Sequence, residues 1–417
     1  MIMKHYLLLL FIIILNTSIL NGQVLDDKLY KEDIRSIQFS PQGYDLGYPI
    51  LHSENSSSLQ LTFDLMGDSQ PALAYRLIHC DVNWEKSKIQ SNDYLVNSFN
   101  EFYIENYELS LASQQLYTHY TAIIEKEQLK LSGNYIIQIF PEDNPEIPWL
   151  QLRFVYAESL VDIKGAIEKA TNNLMHNTHQ RIKFEVEYDK TTFPYPRTNV
   201  TALILQNYRW ESQQTFKPLF IQNNKLKFNY IDNRGLFNGN YEFPFFDTSN
   251  ILQTSHTIRT LEQDDEGVTH CYLYPNKTAS NNYFYSKDMN GNYAIQAENT
   301  YETNIEADYV WVHFTLISEE LPNKAYVVGR FNQWKADETS ELIYDGELRL
   351  YHVGLFLKQG VYNYTFVTKD STGKQINLLG NYSETENDYY IFIYYKDERL
   401  QTDKLIGWKR LNSENGL

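Results

Sequence analysis

A strict alternation of apolar and other side chains constrains this chain most, and it is densest between Tyr309 and Asp397. From Val310 to Ile317, every second residue is Val, Phe or Leu. Since successive side chains of a strand point to opposite faces, this period of two predicts a half-buried strand. Short strands separated by turn residues, with no helical period between them, predict a β-sandwich. The further strands predicted here are Ala325–Gly329, Leu348–Tyr351, Val361–Phe366 and Tyr389–Tyr395.

The same alternation recurs in two earlier regions of the chain. Leu59–Leu65 alternates cleanly in the first region, and Ile182–Tyr188 does so in the second. We therefore predict an all-β fold of tandem β-sandwich domains, because 417 residues suffice for several separate cores. The predicted domains are residues 23–157, a middle β-rich domain at 158–300, an immunoglobulin-like sandwich at 301–400 and a polar tail at 401–417 that is frayed apart from Leu405–Trp408.

The N-terminus has the pattern of a secretory signal peptide. Lys4 and His5 precede an apolar run, Tyr6–Leu15, and small polar residues follow up to Gly22. This run is too short to span a bilayer, so we predict a signal peptide over residues 1–22, with cleavage after Gly22. No cysteine follows the run to carry a lipid anchor, and no later stretch approaches about 18 consecutive apolar residues. We expect an exported, soluble protein.

Charge and cysteine content narrow the possible partners. The chain has 53 acidic and 36 basic residues, a net charge of −17, which argues against nucleic acid because phosphate neutralisation needs concentrated Lys and Arg. Cys80 and Cys271 are the two cysteines. They could pair in an oxidising compartment, but their wide separation leaves the geometry open, and we favour two buried, inert thiols.

No catalytic, cofactor-binding or metal-ligating residue is predicted. His79, Cys80 and Asp81 are adjacent, so neighbouring side chains would point to opposite faces of a strand and could not easily bind one ion. No second cysteine or histidine pair completes a zinc set. No nucleophile elbow, phosphate loop or dinucleotide fingerprint is present. Glycoside hydrolysis needs a pair of carboxylates, but among 53 acidic residues some pair will always have a suitable separation, so such a pair is no evidence for this activity. The residues therefore reveal no catalytic constellation, and a carbohydrate-active enzyme with sandwich domains has no support beyond composition.

Two acidic loops have some features of calcium sites. Asp264–Glu266 lacks the alternating oxygen ligands of a calcium loop. Asp288, Asn290 and Asn292 alternate correctly, but Gly291 comes too early and no terminal Glu follows at the required distance. We interpret both segments as solvated loops.

The segment Val327–Trp334 resembles the glycogen-binding, immunoglobulin-like modules found beside starch and glycogen enzymes. Trp334 stands where those modules carry an aromatic ring that stacks on sugar. A sugar site needs several exposed aromatic rings, and the motif places one. The alternative function is therefore a periplasmic glycan-binding protein, but we expect Trp334 to be structural.

A series of motifs along the chain resembles the type IX secretion system plug family of Bacteroidota-type bacteria. In order, these motifs are Leu46–Ile50, His79–Trp84, Ser132–Tyr135, Gln206–Trp210, Asn238–Phe243, Asp308–Val312, Leu357–Tyr364 and Glu384–Tyr389. The resemblance spans nearly all of the mature chain. One departure is Pro244, which follows Tyr241–Phe243 where the family usually has Arg.

The resemblance implies a function without catalysis or cofactor. Members are periplasmic proteins that associate with the giant outer-membrane translocon barrel. They are thought to close its periplasmic opening when no cargo is exported. The resemblance thus implies a protein partner in the outer membrane, no insertion of the chain itself into the membrane and no nucleic acid.

Overall fold

A computed structural model describes residues 24–54, 58–111, 114–278 and 282–415. The predicted signal peptide lies outside these ranges. Within them, helix is confined to three α-helices of four residues each, Ser91–Tyr94, Pro196–Asn199 and Thr303–Glu306, and to the 3₁₀ turns Lys126–Gln128, Arg330–Asn332 and Ser413–Asn415. No helix in this part of the chain is long and apolar enough to cross a membrane. The predicted all-β fold of tandem sandwiches is confirmed.

The first sandwich packs a six-stranded sheet on a four-stranded sheet. Leu61 and Phe63 point into its core, whereas Asp64, which follows Phe63, points to the opposite face, as the period of two predicts. The six strands are Lys28–Leu29, Ile50–His52, Leu73–Cys80, Phe102–Ile104, Gly133–Pro141 and Leu150–Ala157; the four are Ile34–Pro41, Leu59–Met66, Asn106–Leu109 and Tyr117–Ile124.

The second sandwich packs a five-stranded sheet on a four-stranded sheet. Its core joins Ile182, Phe184 and Val186 to Ile391 and Ile393 from the far end of the chain. The five strands are Asp162–Lys169, His179–Glu187, Phe220–Gln222, Lys225–Lys227 and Leu236–Asn238; the four are Val200–Gln206, Arg209–Phe216, Asp388–Asp397 and Thr402–Asn412.

The third sandwich has one six-stranded sheet and two three-stranded sheets around a shared core. Tyr309–Ile317 is central to the larger sheet and pairs antiparallel with Leu350–Lys358, so Tyr309 lies opposite Lys358. The six strands are Ile258–Gln263, Thr269–Leu273, Asn276–Lys277, Tyr309–Ile317, Ile343–Asp345 and Leu350–Lys358; the three-stranded sheets are Phe245–Asp247, Tyr293–Ile295 and Gly360–Asn363, and Ala325–Val328, Thr365–Lys369 and Gln375–Asn377.

Strand pairing divides the chain differently from the predicted regions 158–300 and 301–400. Ile258–Gln263 and Thr269–Leu273, expected in the middle region, belong to the sheet of Tyr309–Ile317. The strand predicted at Tyr389–Tyr395 exists, but it pairs with Val200–Gln206 in the second sandwich. The prediction that the tail is frayed apart from Leu405–Trp408 is also wrong outside that segment, since the whole of Thr402–Asn412 completes the same sheet. The third sandwich is thus inserted between two parts of the second.

Two interfaces join the first sandwich to the others. A hydrophobic cluster that includes Ile136, Val155, Leu203 and Phe392 fills the space between the first and second sandwiches. Between the first and third sandwiches, Lys358 donates a hydrogen bond from Nζ to Asp64 Oδ2 at 2.6 Å, and both side chains are buried. Because such contacts cannot slide without exposing apolar or charged groups, they hold the sandwiches in one arrangement.

Candidate functional site at the junction of the sandwiches

Several of the motif segments converge where the three sandwiches meet. Tyr48 of the first sandwich stacks on Tyr208 of the second, with ring centroids 4.5 Å apart, and meets Tyr390 edge-on at 5.3 Å. The Arg330 guanidinium of the third sandwich lies 4.6 Å from the centre of the Tyr48 ring. Such ring contacts and cation–π contacts fix relative orientation as well as burying area.

Polar contacts reinforce this junction. Arg330 Nη1 donates to the Gly47 carbonyl at 2.8 Å and to Asn292 Oδ1 at 3.0 Å. Asn292 Nδ2 in turn donates to the Leu46 carbonyl at 2.8 Å. The loop that carries Asn292 is therefore tied to the first sandwich. The prediction of a solvated loop at Asp288–Asn292 is wrong, because Asn290 and Asn292 are buried.

Trp334 is buried, as predicted, with 7% of its surface exposed. The Arg209 guanidinium lies 4.2 Å from its ring centre, and Phe243 meets it edge-on at 5.6 Å. Gly291 has a φ of +80°, and a Cβ there would lie 2.0 Å from Trp334 Cη2, so glycine is required. With its ring covered in this way, Trp334 offers no sugar-stacking platform.

Three carboxyl groups from separate segments meet beside this packing. Glu242 Oε1 accepts hydrogen bonds from the Tyr283 hydroxyl and from the Glu386 backbone N–H. Asp288 accepts from the backbone N–H groups of Phe243 at 2.5 Å and Asn290 at 2.7 Å. We call Glu242, Asp288 and Glu386 the carboxyl cluster.

The carboxyl cluster has no compensating cation among the residues that the structure describes. Burial raises the pKa of Glu242 to about 7, and burial likewise raises the pKa of Asp288 to about 7. Burial and the nearby Asp388 raise the pKa of Glu386. Asp388 differs, because Arg410 Nε donates to its Oδ1 at 2.7 Å.

A cleft of about 590 Å³ opens beside the carboxyl cluster and contains two of its members, Asp288 and Glu386. Tyr44 and Tyr285 line it and are more than half exposed. Asn290 also lines it; its Nδ2 donates to both Glu386 oxygens, at 3.1 and 3.3 Å, whereas its buried Oδ1 has no hydrogen-bond partner. Lys287, Arg410 and Asn412 also line the cleft, and Asn412 Nδ2 donates to Glu386 Oε1. The cleft therefore keeps one buried acceptor, Asn290 Oδ1, that no described residue fills.

The other candidate residues lie apart from this cleft. His79 is buried, its Nδ1 lies 2.8 Å from Ser87 Oγ, and burial lowers its pKa to about 4. Cys80 and Cys271 are free and buried, as expected, and burial raises the pKa of each thiol to about 12. Asp264 lies in an exposed turn. Across the described ranges, no group of three or more His, Cys, Asp or Glu side chains is arranged to hold a metal ion.

Sequence reasoning missed the carboxyl cluster as a site. Glu242 and Glu386 do belong to the motif series, but a single carboxylate gives no signal among 53 acidic residues. Asp288 and Asn290 were considered only as parts of a calcium loop. The useful signal was that these acids adjoin Tyr and Asn in motifs that lie far apart in the sequence.

Tandem rigid sandwiches with a cleft at their junction are an architecture suited to binding another macromolecule. Residues 34–158 match the family described as Type 9 secretion system plug protein 1st domain, which is not a known enzyme family. This confirms, over residues 34–158, the resemblance predicted from the motif series, and it supports a role in type IX secretion.

One solved structure resembles almost the whole chain. A hypothetical protein from Parabacteroides merdae, whose crystal structure was determined at 2.30 Å resolution, is 24% identical. The match covers 94% of this chain and 100% of the other, with a TM-score of 0.88. This likeness establishes a shared fold. No curated protein matches the chain.

Proposed function

We propose that this chain is a non-enzymatic periplasmic subunit of the type IX secretion system. It binds the outer-membrane translocon barrel and closes the periplasmic opening while the barrel is idle. The match of residues 34–158 to the plug family carries this proposal. The predicted signal peptide supports export to the periplasm.

The arrangement of the sandwiches supports an occluding role. A body that closes a wide aqueous pore has to resist deformation, and packed sheets with buried interfaces do so. The Asp64–Lys358 ion pair and the hydrophobic cluster around Phe392 hold the first sandwich to the other two. The net charge of −17 would favour a basic rim on the partner. The alternative, glycan binding, loses its main support because Trp334 is buried.

A leak assay tests the proposal. Deleting the gene should leave some barrels open, so cells should admit bulky antibiotics or dyes that the outer membrane normally excludes. Deleting the barrel as well should abolish this leak. An identical leak with and without the barrel would contradict the proposal, as would no leak in the single deletion.

Recovery of the protein provides a second test. The chain should be found in the outer-membrane fraction when the barrel is made and in the soluble periplasmic fraction when it is not. Recovery in the same fraction from both strains would contradict binding to the barrel.

A further inference from the structure

The carboxyl cluster presents an electrostatic anomaly that the proposed function does not explain. Buried carboxylates are normally paired with a cation, because an unpaired buried charge is costly. Glu242 is 2% exposed and Asn290 is 8% exposed, and Glu242 Oε2 and Asn290 Oδ1 both lack a hydrogen-bond partner. Unfilled acceptors at a buried site indicate a missing donor.

One carboxylate in this cleft is already paired with a guanidinium from the same chain. Arg410 lines the same cleft and donates from its guanidinium to Asp388 Oδ1 at 2.7 Å. Lys287 also lines the cleft, but neither it nor any other described cation forms an ion pair with Asp288 or Glu386. One carboxylate is thus paired with a guanidinium, while its neighbours are left without one.

Aromatic rings surround these acceptors. Tyr44, Tyr285 and Trp408 line the cleft together with Asp288 and Glu386. Carboxylates with flanking aromatic faces favour a guanidinium, which combines forked hydrogen bonds with stacking on rings. The residues of the cleft are not arranged as a metal site in the part of the chain described.

We infer that this cleft binds an arginine side chain from an exposed segment of a partner protein. The guanidinium donates to Glu386 and Asp288 and to Asn290 Oδ1, and Tyr44 and Tyr285 cover it at the entrance. The inference rests on the proposed function for the identity of the partner, which is the translocon barrel.

Peptide binding tests the cleft without reference to the partner. The probes are acetyl-Gly-Gly-Arg-Gly-Gly-amide and the same peptide with citrulline, which is uncharged and nearly the same shape. Calorimetry should show the arginine peptide binding at least tenfold more tightly than the citrulline peptide. Equal affinities, or no binding of the arginine peptide, would overturn the inference.

Substitutions of the residues that line the cleft test whether the arginine peptide binds there. D288N/E386Q should weaken arginine-peptide binding at least tenfold, and Y44A/Y285A, which changes exposed rings only, should weaken it several-fold. D265N/E266Q removes two exposed carboxylates elsewhere on the third sandwich and should leave the affinity unchanged. Retained binding in both cleft variants, or an equal loss in D265N/E266Q, would contradict the assignment. Thermal unfolding of each variant checks that the fold is intact.

The leak assay separates this inference from the proposed function. If deletion causes a barrel-dependent leak but D288N/E386Q seals as well as the wild type, the inference fails and the proposed function stands. If deletion causes no leak, the proposed function fails and peptide binding alone decides whether the cleft takes arginine. Leakage in D288N/E386Q with a stable fold supports both.

Discussion

Two buried polar clusters in this protein contain carboxyl groups, and they differ in whether those groups are paired. At the interface of the first and third sandwiches, both oxygens of Asp64 have partners: Oδ1 lies 2.6 Å from His119 Nδ1, and Oδ2 accepts from Lys358 and Tyr309. In the carboxyl cluster, Glu242, Asp288 and Glu386 accept hydrogen bonds but have no cation within the described chain.

The pKa values of the carboxyl groups shift in opposite directions in the two clusters, in line with this difference in pairing. Burial by itself would raise the pKa of Asp64, but Lys358 and His119 outweigh it and hold that pKa below its usual value. Burial is unopposed by a cation at Glu242 and raises its pKa to about 7. A buried carboxyl group paired with cations holds structure together, whereas one without a cation indicates a binding surface or a pH-sensitive group.

Removing the cation that pairs with Asp64 should have the largest effect on the free energy of unfolding. Lys358→Met would leave Asp64 buried without its main cation, so the free energy of unfolding should fall by about 4 kcal/mol. Urea denaturation measures this change. The matched control is Lys183→Met, which removes an exposed pair with Glu168 and should cost less than about 1 kcal/mol. Similar losses in both variants would mean that the buried pair contributes nothing special.

The packing beside the unpaired cluster should matter nearly as much. Trp334→Ala removes a buried ring held between Arg209 and Phe243, and should cost about 3 kcal/mol. Trp311→Ala is the control within the same sandwich, since Trp311 is 37% exposed and should cost clearly less. The wild type should not bind glycogen or maltooligosaccharides. If it does bind them, and if Trp334→Ala abolishes this binding while the fold stays intact, the glycan-binding alternative is restored.

The unpaired cluster should make stability depend on pH. The pKa of Glu242 is about 7 in the folded protein, against 4.5 normally, so the folded state holds its proton more tightly. Between about pH 4.5 and 7 the folded state therefore binds more protons, and this contribution to stability is lost as pH rises. Glu242→Gln should become more stable relative to the wild type from pH 5 to pH 8, by on the order of 1 kcal/mol. A stability difference independent of pH would contradict this.

Replacing exposed carboxylates should change stability least. D265N/E266Q changes two solvated groups in the Asp264–Glu266 turn, so the free energy of unfolding should change by less than about 0.5 kcal/mol. The change should be the same at pH 5 and pH 8. A larger or pH-dependent effect would mean that net charge, rather than burial without a cation, governs the behaviour of Glu242.

Local pattern predicted the strands well and their partners poorly. The alternation in Val310–Ile317 identified a strand because a period of two can be recognised from neighbouring residues alone. The sequence of Tyr389–Tyr395 is equally clear as a strand, but nothing in it indicates pairing with Val200–Gln206, nearly 200 residues earlier. Pairing depends on which apolar faces fit together in three dimensions.

The candidate site was hidden for the same reason. Glu242, Asp288 and Glu386 come from three segments, and their distinction is burial without a cation, which only the folded arrangement reveals. Trp334 was predicted to be structural because one aromatic ring cannot form a sugar platform, and its burial agrees with that argument. Cys80 and Cys271 were similarly judged inert, and both thiols are buried and free.

The return of the chain from the third sandwich to the second has a consequence for biogenesis. Val200–Gln206 lies between Arg209–Phe216 and Asp388–Asp397, so one side of this strand stays unpaired until residues 388–397 are available. A chain that enters its compartment from the N-terminus would therefore keep an open sheet edge throughout translocation. Open edges recruit other strands, so we expect partly exported or C-terminally truncated chains to depend on chaperones or to be degraded. Completion of the second sandwich thus requires the chain to be available as far as Asn412.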